Sequence, residues 1–247
     1  MISVVVIGEA CVDCFVYGDC KRLSPEAPVP VMSNVSETRS DGMSGNVVRN
    51  LLSLDPTLSI HHAHQREGIE KTRYVDRKSN HMFLRVDHGD EAVGPMELTD
   101  GLIGKVRGAD ILIVSDYDKG FLTDGHLVAL GRSAGLSILD SKRRLTREIV
   151  DCYSFVKLNE QEMIRNSDLG EPANIITTLG ERGAMLRGRL YPAKSPRQTM
   201  DVSGAGDTFT ASFILKYFET KDVGESIGFA NEMSSLVVSR RGVVTPW

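Results

Sequence analysis

Short apolar runs alternate with longer segments of helical periodicity along most of the chain. The runs are rich in β-branched residues and several end at Gly, Asp or Asn, as buried strands do. They lie at residues 4–8, 109–116, 136–140, 154–159 and 174–180. Between them, residues 96–106 and 123–134 have helical spacing, and Thr123 with Asp124 forms an N-cap pair. Strands separated by helices predict an α/β fold, with a mainly parallel sheet covered on both faces.

Two segments, residues 28–35 and 71–87, instead alternate apolar and polar positions with a period of two. The second breaks at Ser79 and Asn80, as a hairpin does. We therefore predict a small β lid, with strands within residues 12–35 and 71–87, on a single domain spanning residues 1–247. A lid could close over a ligand at the carboxyl ends of the parallel strands. The alternative is an exposed edge hairpin with no binding role.

The composition is that of an ordinary globular protein. Of 247 residues, 41% are hydrophobic and 25% charged, and 29 basic against 33 acidic side chains give a net charge of -4. A chain of this size buries an adequate core without disulfides or a structural metal, and its composition excludes disorder and a collagen-like fold. The mild acidity argues against nucleic acid as the main partner, because clustered Lys and Arg bind phosphate backbones.

The apolar runs are also too short for a membrane protein. None approaches the roughly 20 residues that span a bilayer. Glu9 and Asp13 interrupt the first run early, and no basic region precedes it, which disfavours a secretory signal. We therefore expect a cytoplasmic protein with no membrane partner.

Four cysteines, Cys11, Cys14, Cys20 and Cys152, include one C-x-x-C pair. Such a pair occurs in zinc and redox sites. A zinc site needs a second ligand pair, however, and no second C-x-x-C or H-x-x-x-H follows. We interpret the cysteines as small buried thiols on a strand.

The segment at residues 201–218 carries the clearest chemistry, because a Gly-rich turn leads directly into an apolar helix. Gly204 and Gly206 permit a tight turn, so that the amides of Ala205, Gly206 and Asp207 can point at one anion at the helix N-terminus. Asp207 could simply cap the helix. A carboxylate aimed at an anion is costly, however, unless it abstracts a proton from an attacking hydroxyl.

This block, D-V-S-G-A-G-D-T at residues 201–208, resembles the C-terminal signature of the ribokinase-like (PfkB) sugar kinases. Further segments match that family in the right order: G-E-A-C-V-D at 8–13, G-x-x-x-N at 42–46, N-E-Q-E at 159–162 and T-L-G-E-R-G at 178–183. The resemblance implies a ribokinase-like three-layer sandwich with a β lid. It also implies an ATP-dependent carbohydrate kinase that uses Mg²⁺ and, in some relatives, K⁺.

The resemblance assigns a role to each matching position. Asp207 would be the general base, and Gly204, Ala205 and Gly206 would form the anion hole. Asp13 and Asn46 would bind sugar hydroxyls, although turn or cap roles also explain both. The ATP and cation ligands would be Asn159 and Glu162 (indirectly, through Mg²⁺), Thr178, Gly180, Asn231, and Asp201 for a monovalent cation. A capping box is the competing explanation for Asn159 and Glu162.

Within the family, the chain is similar to the heptose 7-phosphate kinases. The similar segments are residues 22–31, 71–87, 115–120 and 139–142. The similarity implies phosphorylation of the anomeric hydroxyl of D-glycero-β-D-manno-heptose 7-phosphate. Lys142, Arg73 and Arg85 would bind the substrate phosphate, since Arg suits bidentate contact. It also implies a homodimer formed through the lid, and only the kinase half of the bifunctional enzymes is represented.

The chain departs from the family pattern in three places. Asp41 stands where a first Gly is usual, and the segments after Leu54 and after Glu162 are shorter than in the family. Two other hypotheses therefore stay open. The protein could phosphorylate a different sugar, or it could be a catalytically degenerate remnant that binds ligands or forms dimers.

The shortened segment after Leu54 carries three histidines, His61, His62 and His64. Their spacing permits weak metal binding. No carboxylate cluster accompanies them, so we predict a flexible, solvated loop here.

Overall fold

A computed structural model describes residues 1–170, 172–193 and 199–247. The strands in this part of the chain are β1 (Ser3–Gly8), β2 (Ala10–Leu23), β3 (Pro30–Met43), β4 (Ser59–Ala63), β5 (Glu70–Asp76), β6 (Met82–His88), β7 (Ile111–Asp116), β8 (Ser137–Ser141), β9 (Phe155–Asn159), β10 (Ile175–Thr178), β11 (Ala184–Leu186) and β12 (Arg189–Tyr191). The α-helices are α1 (Ser44–Leu54), α2 (Asp100–Gly108), α3 (Asp124–Ser133), α4 (Arg147–Asp151), α5 (Glu160–Arg165), α6 (Ala205–Thr220) and α7 (Val223–Val238).

The central sheet has eight strands in the order β12-β11-β10-β9-β8-β7-β1-β4. The strands from β10 to β4 in this order are parallel, while β11 and β12 are antiparallel additions at one edge. One apolar cluster joins α1, α6 and α7 to the sheet, and a second joins α2, α3, α4 and α5 to its other face. This is the three-layer α/β arrangement that the alternating pattern predicts.

The elements follow the predicted rhythm with shifted ends. Strand β7 is buried along its whole length, as a parallel strand covered on both faces must be. The Thr123 hydroxyl accepts a hydrogen bond from the His126 amide at the start of α3, which confirms the predicted N-cap. The helix predicted from residue 96 begins only at Asp100, because Thr99 caps it there.

The lid is a four-stranded sheet in the order β3-β2-β5-β6. The β5–β6 hairpin breaks between Asp76 and Met82, as its sequence predicts. The lid is larger than predicted, since β2 begins at Ala10 and β3 runs to Met43. Because paired residues share a face, Asp13, Lys71 and Asp87 lie on one face, while Cys14, Thr72 and Val86 lie on the other.

The prediction of a solvated loop was wrong for His61 and His62, whereas His64 is exposed and follows the end of the strand. His61 and His62 lie on β4, the edge strand paired with β1. His62 is half-buried, and its Nε2 lies 2.8 Å from the Ser44 hydroxyl oxygen. Burial lowers the pKa of His62 to about 4, so the ring is neutral near pH 7. Backbone pairing that periodicity does not reveal therefore orders this segment.

Cys11 and Cys14 are buried free thiols on β2, as predicted, whereas Cys152 caps α4 and lies off any strand. Among the described residues, no cluster of three or more His, Cys, Asp or Glu side chains has the arrangement of a metal site. No helix in the described part of the chain combines the length and apolar character that crossing a membrane requires.

Candidate active site

The Gly-rich turn forms the N-terminus of α6. Gly204 has φ 79°, a left-handed conformation that glycine adopts without strain. A side chain at Gly204 would also lie 2.7 Å from the Asn46 amide nitrogen. Ala205 and Gly206 begin the helix. The Ala205 amide donates to the Val202 carbonyl at 3.3 Å, which leaves the amides of Gly206 and Asp207 for the predicted anion. The sequence therefore places a glycine where both the backbone and the neighbouring side chain require one.

Asp207 follows in the first turn of α6 and is 4% exposed. Its Oδ2 accepts a hydrogen bond from Asn46 Nδ2 at 2.9 Å, and its Oδ1 accepts one from the Tyr117 hydroxyl at 2.9 Å. Burial raises the pKa of Asp207 to about 6, with a smaller contribution from the charge of Asp140. Asp207 is therefore ionised near pH 7 and can accept a proton.

A buried ion pair lies beneath this turn. Lys157 Nζ is 2.9 Å from Asp140 Oδ2, and the Thr210 hydroxyl donates to the same oxygen. Burial alone would raise the pKa of Asp140, but the nearby ammonium groups of Lys157 and Lys142 lower it. A side chain at Gly206 would lie 2.9 Å from Lys157 Nζ. The ammonium therefore lies directly against the backbone of the predicted anion hole.

Of the two predicted sugar ligands, Asn46 lies on α1 against Asp207, and Asp13 lies on the polar face of the lid. Asp13 forms a mostly buried ion pair with Arg73. Gly42 packs against Asp13 so closely that an added Cβ would lie 2.1 Å from Oδ2. Asp41 is exposed, so it does not obstruct this approach. Arg85 faces Arg73 across the β5–β6 ladder but pairs with Asp87.

Asn159 and Glu162 form a capping box at the start of α5. Glu162 is 1% exposed and accepts hydrogen bonds from the Asn159 backbone and side-chain nitrogens, each at 2.7 Å. It also accepts one from Lys142 Nζ at 2.6 Å. Burial would lower the pKa of Lys142, but the charges of Asp140 and Glu162 raise it. Lys142, which the sequence assigns to the substrate phosphate, is therefore paired with a predicted ATP ligand in this structure.

Thr178, Gly180 and Asn231, which are far apart in sequence, line one cavity of ≈ 200 Å³. Ala205 and Gly206 line the same cavity, so it opens beside the N-terminal turn of α6. This arrangement brings the predicted nucleotide ligands next to the predicted anion hole.

Asp201, the predicted cation ligand, binds backbone amides. Its Oδ1 accepts from Ser203 N at 2.9 Å, and its Oδ2 accepts from Gly242 N at 3.2 Å. Each carboxylate oxygen keeps a further lone pair, so the group could still bind a cation.

Sequence reasoning missed Tyr117, which donates to Asp207, and the Lys157–Asp140 pair. It also missed Glu9, whose buried carboxylate accepts the backbone amide of Tyr117. Tyr117 comes directly after β7, at the carboxyl edge of the sheet, where ligand-binding residues of α/β folds collect. A polar aromatic residue at that position was a usable signal. Lys157 in an otherwise apolar strand was another, because an ammonium in a buried strand requires a partner.

Comparison with known proteins connects this geometry to a family. The model described as pfkB family carbohydrate kinase matches residues 142–247. The bifunctional protein HldE of Mesorhizobium japonicum is 30% identical over an alignment that covers 98% of this chain and 59% of the relative. The HldE of Gluconacetobacter diazotrophicus is 28% identical, with 99% and 62% covered. The chain spans about three fifths of the length of these relatives.

Solved structures show the same fold. Arabidopsis thaliana ribokinase, solved with ribose and ATP, matches with a TM-score of 0.71 and 17% identity, covering 98% of this chain and 94% of that one. Ribokinase from Thermotoga maritima matches with a TM-score of 0.74 and 15% identity, covering 98% and 95%. The three-layer sandwich with its lid is therefore a ribokinase-like fold.

Proposed function

We propose that this chain is a PfkB-type carbohydrate kinase that uses ATP to phosphorylate the anomeric hydroxyl of a heptose 7-phosphate. One observation carries the proposal. Asp207 is a buried, ionised carboxylate at the start of α6, next to residues that line the cavity of Thr178 and Asn231. A base beside an anion hole is what phosphoryl transfer to a hydroxyl requires.

The chemistry assigned to the chain is proton removal and charge stabilisation. Asp207 takes the proton of the sugar hydroxyl while its oxygen bonds to the γ-phosphorus of ATP. The bond from that phosphorus to the β,γ-bridging oxygen breaks, and ADP leaves. Free amides at the start of α6, with Gly204 and Gly206 in the turn, stabilise the negative charge on the transferring group. The proton on Asp207 then passes to water.

The described residues fit ATP and an indirectly held Mg²⁺. The cavity beside α6 would take the nucleotide, and Asn159 with Glu162 would orient the hydrated metal and the phosphates. When bound, Mg²⁺ would neutralise phosphate charge. Asp201 is our candidate for a K⁺ ligand.

The lid supports a phosphorylated sugar as the substrate. The polar face of the lid carries Asp13 for a sugar hydroxyl and basic side chains at Lys71, Arg73 and Arg85. Arg85 binds Asp87 in this structure and would have to exchange that partner for phosphate. The heptose itself rests on the resemblance of the chain to heptose 7-phosphate kinases and on the HldE relatives. Another sugar phosphate is the second substrate class.

The face of the lid that carries Cys14, Thr72 and Val86 supports a homodimer. Leu84 and Val86 share a face of β6 and are 55% and 45% exposed, and Met82, beyond a bulge in the β5–β6 ladder, is 49% exposed. Exposed apolar side chains close together on an edge strand are unfavourable in water and typical of an interface. We therefore propose that the lids of two copies pack together.

The test is ADP release from Mg²⁺-ATP with a panel of sugars and sugar phosphates that includes heptose 7-phosphate. We expect turnover with the heptose phosphate and a loss of about 10²-fold or more in Asp207→Asn, with the fold and ATP binding retained. Asp100→Asn is the matched control, because Asp100 is an exposed carboxylate in the first turn of α2. Turnover of another sugar would retain the kinase and reject the heptose.

Absence of turnover with every sugar, in protein that is folded, would favour the degenerate remnant. The short α5, of only six residues, is the feature that favours this second candidate. Near-normal turnover in Asp207→Asn would instead reject Asp207 as the base while keeping the kinase.

A further inference from the structure

The hydroxyl of Tyr117 lies against the proposed base, although a carboxylate can accept a proton without a tyrosine beside it. It donates to Oδ1 of Asp207 at 2.9 Å, while the Asn46 amide binds the other carboxylate oxygen. A carboxylate oxygen has two acceptor sites, so each oxygen keeps one for a substrate hydroxyl. The two donors together fix the plane of the carboxylate.

The backbone at Tyr117 is itself held firmly. The buried carboxylate of Glu9 accepts the backbone amide of Tyr117 at 2.9 Å, and those of Lys119 and Phe121 at 3.1 and 3.3 Å. Glu9 is fully buried, and it follows β1, the strand beside β7 in the sheet. Three hydrogen bonds to a single carboxylate leave the loop after β7 little freedom.

The ring of Tyr117 contacts two further parts of the site. The ammonium groups of Lys71, on the lid, and of Lys142, beside Glu162, each lie 5.4 Å from its centroid. Cys11 and Met43 pack around the same ring. Tyr117 therefore touches the lid, the base and a residue on the ATP side, which fixes the position of its hydroxyl.

We propose that Tyr117 is a positioning residue for Asp207, whose hydroxyl orients the carboxylate and stabilises its ionised form. The inference rests on the proposed function only in that Asp207 is the base. The alternative is that Tyr117 merely fills space under the lid. The two roles differ in their effect on the pKa of Asp207, because a residue that only fills space would leave this pKa unchanged.

Several charged or titratable groups face Asp207 and Tyr117 from the surrounding elements. They are Cys11 on β2, Lys71 on β5, Asp140 and Lys142 at the end of β8, and Lys157 on β9. Burial and the charge of Asp207 raise the pKa of Tyr117 well above its usual value, so its hydroxyl keeps its proton and acts as the donor. Removing this hydroxyl changes none of those charges.

The test is the pH profile of kcat/KM in Tyr117→Phe, which keeps the ring between the lid and Lys142. Without the hydroxyl, ionised Asp207 loses a donor, so the acid limb of the profile should move upward by about one pH unit. At pH 6 the variant should then lose about fivefold in kcat/KM, and at pH 8.5 less than about threefold.

Tyr153→Phe is the matched control, because Tyr153 is also buried and donates its hydroxyl to the Leu127 carbonyl, in the α3 layer. We expect this control to lower thermal stability and to leave the pH profile unchanged. A Tyr117→Phe profile that superimposes on that of the unmodified protein would overturn the inference.

The inference can be tested even if no sugar is turned over. NMR of protein labelled with ¹³C-aspartate measures the titration of Asp207 directly. The Asp207 carboxyl resonance is the one that disappears in Asp207→Asn. It is titrated in the unmodified protein and in Tyr117→Phe. A higher titration midpoint in Tyr117→Phe supports the inference, while failure of the kinase assay alone would reject the proposed function. Equal midpoints would overturn the inference regardless of activity.

Discussion

Asn46 Nδ2 lies 2.9 Å from Asp207 Oδ2, which joins two residues 161 positions apart in the chain. Asn46 reaches this point from α1, and Gly204 leaves the space for it. The hydrogen bond therefore depends on the absence of a side chain at Gly204. The geometry of the proposed base is built by two segments, α1 and the turn that begins α6, which only the fold brings together.

Gly204→Ala should test that dependence. The methyl group would lie 2.7 Å from Asn46 Nδ2, on a residue whose φ is 79°. We expect a loss of about 1–2 kcal/mol in the free energy of unfolding and a fall in kcat of about tenfold or more as Asn46 moves away from Asp207. Urea denaturation and steady-state kinetics measure the two effects.

Gly104→Ala is the control for that variant. Gly104 lies within α2, and no atom lies within 4 Å of an added Cβ. Alanine there should stabilise the protein by about 0.5–1 kcal/mol and leave kcat unchanged. Full activity in Gly204→Ala would contradict the proposed link between Gly204 and Asn46.

The rate should depend on pH through Asp207. Its pKa of about 6 means that the base is ionised above pH 6 and protonated below it. We expect kcat/KM to fall about tenfold for each pH unit below this value, measured from pH 5 to 8 with circular dichroism confirming that the protein stays folded. A flat profile across this range would rule out Asp207 as the group that must be ionised.

Asp207 should also make the protein less stable near neutral pH. Its folded pKa, about 6, lies above the ordinary value of 3.8, so the unfolded chain releases this proton first as pH rises. Stability is therefore lost between about pH 4 and 6. Asp207→Asn removes this penalty and should stabilise the protein by about 1–3 kcal/mol above pH 6.

Urea titrations at pH 4.5 and 7.5 test this prediction, since the difference between the variant and the unmodified protein should grow with pH. A difference that does not change with pH would contradict the raised pKa.

Glu162→Gln should alter the response to Mg²⁺. The buried carboxylate binds Asn159 and Lys142 at once, so the neutral amide weakens the contact with Lys142 while still capping α5. We expect the Mg²⁺ concentration for half-maximal rate to rise about 10-fold. Glu160→Gln, in the same turn but exposed and paired with Arg182, is the control and should change nothing. An unaltered Mg²⁺ dependence in Glu162→Gln would remove it from the ATP ligands.

Leu84→Glu should prevent dimer formation. A charge at this exposed apolar position on β6 would have to be buried between two lids, which is costly. Sedimentation velocity should then change from dimer to monomer, while Leu52→Glu, on the exposed side of α1, should leave the dimer intact. A monomeric unmodified protein would reject the lid interface.

The sequence predicted the sheet because buried parallel strands are continuous apolar runs, and β1 and β7 follow this rule closely. It predicted the β5–β6 hairpin because period-two alternation is a local property. It failed at His62, where pairing of β4 with β1 orders a segment that has no apolar pattern. It also failed at the start of α2, where the Thr99 cap outweighs the apolar residues that precede it.

By itself, the sequence determined the α/β class, the lid, the Gly-rich turn and the place of Asp207 in that turn. Periodicity and the spacing of turn residues are local properties of the chain, so they can be recognised without the fold. Only the tertiary structure brought Tyr117 and Asn46 to the carboxylate and Lys157 to Asp140, in contacts that span 17 to 161 residues. The pKa of a buried carboxyl depends on such contacts and on exclusion of water, both of which exist only after the layers pack. The position of the proposed base could therefore be predicted from local sequence, whereas its pKa could not.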